Sequence, residues 1–145
     1  VISHKGFKCR RDYDALLDEA LRSANVQLVC CAGFMRILSD WFTNRWLGRL
    51  INIHPSLLPS FKGAHAHRDA LAAGVRITGC TTHFVVAEVD TGAIIEQAAV
   101  TVDEDETEES LSEKVKELEH KIYPESMEKL ASGSVKLVDG KIVRL

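Results

Sequence analysis

The apolar run Val26–Cys31 lies between two segments of helical periodicity, and this alternation narrows the fold more than any other feature of the chain. Before it, Tyr13, Leu16, Leu17, Ala20, Leu21 and Ala24 recur at helix spacing. Asp12, Asp14 and Asp18 fall near the start, where carboxylates suit the positive end of a helix. The run itself, ended by Gly33, predicts a strand buried on both faces. After it, Ser39 suits the N-cap of a short helix carrying Trp41, Phe42 and Trp46, closed by Gly48. Leu50–His54 reads as a short strand stopped by Pro55. Val1-Ile2-Ser3 also reads as a strand.

The second half continues the pattern. Ser56–Gly63 is a loop rich in breakers, and His67–Ala73 a short helix ended by Gly74. Ile77–Val86 and Ala93–Val102 are β-branched runs joined by a turn around Asp90-Thr91-Gly92, which predicts an antiparallel pair. Nine acids fall within residues 103–119, as expected for the N-terminal, solvated part of a helix. Its buried stripe is Leu111, Val115, Leu118, Ile122 and Leu130, with a kink expected at Pro124 and an end at Gly133. Asp139-Gly140 between Val135–Val138 and Lys141–Val143 is a type I′ hairpin signal. Strands alternating with helices imply an α/β open sheet.

Composition removes other classes. A chain of 145 residues suits one domain. At 46% hydrophobic it is too apolar for disorder, yet no run approaches the ~18 residues of a membrane span. The net charge of −3 and the lack of a basic block argue against a nucleic-acid partner. Cys9, Cys30, Cys31 and Cys80 form no CxxC pair and read as buried free thiols, which suits the reducing cytosol.

The chemistry concentrates at Asn52-Ile53-His54-Pro55. Side chains alternate along a strand, so Asn52 and His54 share a face. They lie at the strand's C-terminal end, where open α/β sheets bind ligands. An amide can donate to a developing oxyanion, and an imidazole can donate or shuttle a proton. The same pair also suits plain hydrogen bonding to a loop. Asp90 before Gly92 is ordinary turn chemistry, and His83 in a strand suits a structural role. His65-Ala66-His67 lacks accompanying carboxylate or thiolate ligands, so a metal site is not expected. Gly74–Gly79 has the glycine spacing of a phosphate loop, but Cys80 stands where lysine is required.

Taken together, Ala32-Gly33-Phe34-Met35-Arg36-Ile37-Leu38, Asn52 through Gly63, Thr78 through Phe84, Val89-Asp90-Thr91-Gly92 and Glu119 through Pro124 resemble the folate-dependent formyltransferases. Pro55, the Phe34–Leu38 stretch and His65/His67 favour the branch that formylates glycinamide ribonucleotide in purine biosynthesis. The alternatives are a formyltetrahydrofolate deformylase, another formyltransferase, or an inactive folate-binding fragment. The resemblance implies a Rossmann-like, mostly parallel open sheet with helices on both faces. It implies 10-formyltetrahydrofolate as formyl donor, no metal, and a catalytic trio of Asn52, His54 and Asp90. Asn52 and His54 would stabilise the oxyanion; Asp90 would orient His54, favour its protonated form and hold a relay water. Arg10, Met35, Arg36, Ile37, Leu38 and Leu50 would bind the folate. Pro55, Gly63 and Glu119 would face the amine substrate, Glu119 at its ribose, and His83 would support the site.

Ala93 departs from the family, where proline is common after the Asp-x-Gly turn. The family's first strands and Gly-rich phosphate loop have no counterpart here, and the chain starts on Val1 with no signal peptide. Residues 1–145 are therefore expected to be a formyltransferase domain lacking those parts, and the resemblance is compatible with an origin in a longer multifunctional polypeptide. One sheet edge is expected to be exposed.

Overall fold

The computed structural model describes residues 1–145. In chain order the elements are α1 (Arg10–Ser23), β1 (Val29–Cys31), α2 (Asp40–Arg45), β2 (Leu50–His54), α3 (Ala66–Ala73), β3 (Ile77–Phe84), β4 (Ile94–Thr101), α4 (Glu108–Ala131), β5 (Val135–Val138) and β6 (Lys141–Arg144). β1 to β4 form one sheet in that order, and β5–β6 form a separate hairpin. Asp139 and Gly140 both have positive φ, as a type I′ turn requires.

The α/β open sheet is as expected, but its pairing is mixed rather than mostly parallel. β1–β2 is parallel, whereas β2–β3 and β3–β4 are antiparallel. The reason lies in register. His54 at the end of β2 faces Thr81, while Ile51 faces Phe84, so β3 starts at the end where β2 stops and runs back. A return to the far end would have made it parallel.

Alternation along β2 builds two cores. Ile51 and Ile53 point toward α4, joining Cys80, Phe84 and Ile95 with Leu111, Val115, Ile122 and Tyr123. Leu50 points the other way, to Leu38, Phe42 and Trp46, with Leu17 and Leu21 of α1 packed against them. Helices thus cover both faces. Truncating a ring such as Phe42, which is fully buried, costs roughly 3–5 kcal/mol in cores of this kind.

Polar contacts fix the layers. Buried Asp18 accepts from Arg22 Nε, Arg45 Nε and Trp46 Nε1 at 2.8–2.9 Å, tying α1 to α2. Ser39 caps α2 by accepting from the Phe42 N–H, as the sequence predicts. Thr107 and Ser110 form a capping box at α4, which continues through Pro124. Tyr123 Oη donates to the Cys31 carbonyl at 2.6 Å and reaches Ile51 O at 3.3 Å, bridging β1 and β2.

Three expectations need correction. Val1-Ile2-Ser3 forms no strand, because no strand runs beside it. The Val26–Cys31 strand is only three residues long and is not buried on both faces. It is a sheet edge, pairing with β2 alone, and Cys30 points away from the Val29 and Cys31 side into solvent. Of the cysteines only Cys80 is buried; Cys9 and Cys30 are exposed and Cys31 is intermediate, though all are free. No helix is long and apolar enough to cross a membrane.

Candidate active site

β2 delivers Asn52 and His54 to one face before Pro55 ends the strand. Asn52 lies directly opposite His83 of β3, beside a shift in the β3–β4 register between Thr82 and His83. The His83 Nδ1–H donates to the Phe84 carbonyl at 2.9 Å. That bond fixes the tautomer, leaving Nε2 to accept from Asn52 Nδ2 at 3.4 Å. Burial pushes the His83 pKa down; the Phe84 carbonyl and Asp90 pull it up, His54 pushes it down, and the net shift is downward. A neutral His83 therefore orients the Asn52 amide and leaves its second N–H free.

Asp90 completes the cluster from the turn between β3 and β4. Its backbone has φ 57°, a left-handed conformation that Asp tolerates better than most residues. Its Oδ2 lies 3.6 Å from His54 Nδ1 and its Oδ1 lies 3.9 Å from His83 Nε2. Gly92 lets this turn approach β3 closely: a Cβ there would sit 1.7 Å from the Phe84 carbonyl oxygen.

The loop after β2 closes on the same groups. His54 Nε2–H donates to the Phe61 carbonyl at 2.8 Å, and the Gly63 N–H donates to Asp90 Oδ2 at 2.9 Å. A carbonyl can only accept, so Nε2 carries a proton, and Nδ1 faces the Asp90 carboxylate. Phe61 has φ 54°, backbone strain of the sort found at functional sites. Ser56 Oγ donates to Ser60 O at 2.5 Å, and Thr81 Oγ1 donates to Ser56 O and accepts from Leu58 N, pinning the start of the loop.

The structure thus gathers Asn52, His54, Asp90 and His83 into one cluster with Gly63 against it. Pro55 is half-buried beside them. Glu119 sits half-buried on α4. Burial pushes its pKa up, partly opposed by His120, Lys116 and His54, which places it within electrostatic reach of the cluster.

The expected folate residues divide. Leu38 and Leu50 line an open apolar groove of about 210 Å³ together with Leu17, Val29, Phe34 and Phe42. Such a slot fits a flat heteroaromatic ring. Met35 and Ile37 project into solvent at 75% and 52% exposure, Arg36 lies over the Tyr13 ring, and Arg10 is exposed at the start of α1. His65 and His67 join no group of three or more metal-capable side chains. The sequence reading missed the Phe61 carbonyl, Ser56 and Thr81. A backbone carbonyl has no residue signature, and Ser and Thr are too common to stand out.

The chain is similar to known proteins along most of its length. The formyl transferase family model matches residues 1–127. The chain is 54% identical over 143 residues to the trifunctional purine biosynthetic protein adenosine-3 of Gallus gallus, covering 98% of this chain. It spans only 14% of that protein's length. Among solved structures, glycinamide ribonucleotide transformylase 1 from Symbiobacterium toebii superposes with a TM-score of 0.94 at 43% identity, over 99% of this chain and 68% of that one. A formyltetrahydrofolate deformylase from Pseudomonas syringae is more distant, at 29% identity and a TM-score of 0.88, over 95% of this chain and 46% of that one. An Asn-x-His strand end, an Asp turn folded onto it and a family match over most of the chain converge on one assignment: this chain belongs to the formyl transferase family.

Proposed function

We propose that this chain carries the formyl-transfer centre of a phosphoribosylglycinamide formyltransferase. It would pass the formyl group of 10-formyltetrahydrofolate to the amine of glycinamide ribonucleotide. The observation that supports it most is the gathering of Asn52, His83, Asp90 and His54 into one cluster at the end of β2. The amine attacks the formyl carbon, and negative charge develops on the formyl oxygen. Asn52, oriented by His83, donates its second N–H to that oxygen, and His54, held by Asp90 at Nδ1, joins it when its Nε2–H exchanges the Phe61 carbonyl for the formyl oxygen. Preorganised donors of this type are each worth ~10²–10³ in turnover. Asp90 holds the water that carries the proton from the attacking amine toward the departing folate nitrogen.

Leu38 and Leu50 give the donor an apolar wall, and Met35, Arg36, Ile37 and Arg10 surround its approach. Pro55, Gly63 and Glu119 face the amine substrate. Free thiols throughout the chain suit a cytosolic setting.

The test is formyl transfer followed with glycinamide ribonucleotide as acceptor, beside formate release without acceptor. Loss of transfer in His54→Ala and Asn52→Ala by ~10²-fold or more is expected. Wild-type turnover in either variant refutes the assignment. Formate release outpacing transfer would identify a deformylase instead; the lower identity to that class and Pro55 at the strand end disfavour this outcome.

A further inference from the structure

The segment Ala32–Leu38 leaves β1 and enters α2, and two adjacent residues of α1 grip it. Asp14 is 1% exposed, and its Oδ2 accepts the Ser39 N–H at 2.6 Å across 25 positions of sequence. Tyr13, also buried, lies with its ring 4.6 Å beneath the Arg36 guanidinium. Neighbours on a helix point about 100° apart, so the two contacts hold two separate points of the segment. Between them, Leu38 is buried against Phe42, Trp46 and Leu50, whereas Met35 and Ile37 stand in solvent with no core packing of their own. The shape of Met35–Ile37 therefore depends on these anchors. α1 is in turn locked to α2 through Asp18, so the anchors are themselves rigid.

We propose that Tyr13 and Asp14 are positioning residues that hold Met35–Leu38 in its donor-binding shape, and so set affinity for the folate donor without taking part in formyl transfer. This rests on the functional reading above. Nothing at Tyr13 or Asp14 touches Asn52, His54 or Asp90, so the amine side of the site is independent of them.

The experiment measures KM for 10-formyltetrahydrofolate, KM for glycinamide ribonucleotide and kcat in the protein. Asp14→Ala removes the acceptor of the Ser39 N–H and leaves that donor without its partner. Donor KM is expected to rise about tenfold or more, with amine KM and kcat within about twofold of wild type. Asp14→Asn keeps an acceptor oxygen and should recover most of the loss. Tyr13→Leu, which removes the ring under Arg36, should give the same split, and Tyr13→Phe should behave as wild type. If Asp14→Ala does not fold, Tyr13→Leu and Tyr13→Phe carry the comparison. Unchanged donor KM in folded variants overturns the proposal, as does a parallel change in donor and amine KM. A wild-type protein that binds the amine substrate but no folate donor overturns the functional reading, and with it this inference.

Discussion

Replacing Asp90 with Asn separates the charge of the carboxylate from its shape. In the structure Asp90 Oδ2 accepts the Gly63 N–H at 2.9 Å and lies 3.6 Å from His54 Nδ1. An Asn keeps the size and an acceptor oxygen for Gly63, so the loop stays where it is. It cannot balance positive charge that develops on the His54 ring as that ring donates to the formyl oxygen. At 3.6 Å and an effective dielectric of ~20, the attraction between the two unit charges is roughly 4–5 kcal/mol. Both side chains are nearly buried, so little of this is screened. If about half of that charge is expressed at the oxyanion stage, the barrier rises by roughly 2–3 kcal/mol, and kcat falls about 10²-fold. That lies within the ~10²–10⁴ attributed to positioned proton-transfer groups. Steady-state formyl transfer with both substrates varied is the assay. The amine-substrate KM should move by less than about threefold, since the loop contact survives. A kcat loss under tenfold would refute the claim that His54 works as a charged donor held by Asp90. So would a loss matched by a collapse of the melting transition.

Asp18→Asn should be the most destabilising single polar change. It leaves Trp46 Nε1 and two guanidinium groups facing a neutral amide. The arginines are largely solvated, so their share is small and the buried Trp46 bond dominates, giving a loss of roughly 2–4 kcal/mol. Burial acts to raise the Asp18 pKa, but the bonds from Trp46, Arg22 and Arg45 outweigh it and lower it below 3.8. Its contribution is therefore full above about pH 4 and lost as pH falls through the depressed value. Denaturant melts should show the gap between wild type and variant closing only below about pH 4; a gap that closes between pH 7 and pH 5 contradicts the assignment. Gly92→Ala drives a methyl into the Phe84 carbonyl, so the turn must shift and carry Asp90 with it. A loss of ~1–3 kcal/mol together with reduced kcat is expected, and wild-type values for both would show that the turn is not held by that approach.

Much of this was legible in the chain because it depends on local pattern. β2 was read to the residue: Leu50–His54 is bounded by a glycine turn and a proline. The Ser39 cap, the left-handed end of α3 at Gly74 and the Asp139-Gly140 hairpin each follow from what one or two side chains can do locally. The failures share one cause. The apolarity of Val26–Cys31 predicts a doubly covered strand, and the composition of Val1-Ile2-Ser3 predicts a strand. Whether either is paired, and on how many sides, is set by which segments lie beside it. The direction of β3 is of the same kind: nothing in Ile77–Phe84 states that it starts at the His54 end of the sheet.

The site divides along the same line. Sequence alone determined that Asn52 and His54 share a face, because strand alternation is a property of the backbone, and the resemblance pointed to Asp90. Only the tertiary structure decided what those groups do to one another. It set His83 opposite Asn52 with its tautomer fixed, put Asp90 in reach of both histidines, and laid the Phe61 carbonyl and Gly63 amide on His54 and Asp90. Those contacts join residues up to 36 positions apart, and three of them run through backbone atoms that every residue carries. Side-chain identity cannot encode them; only the folded path of the chain brings them within hydrogen-bond distance.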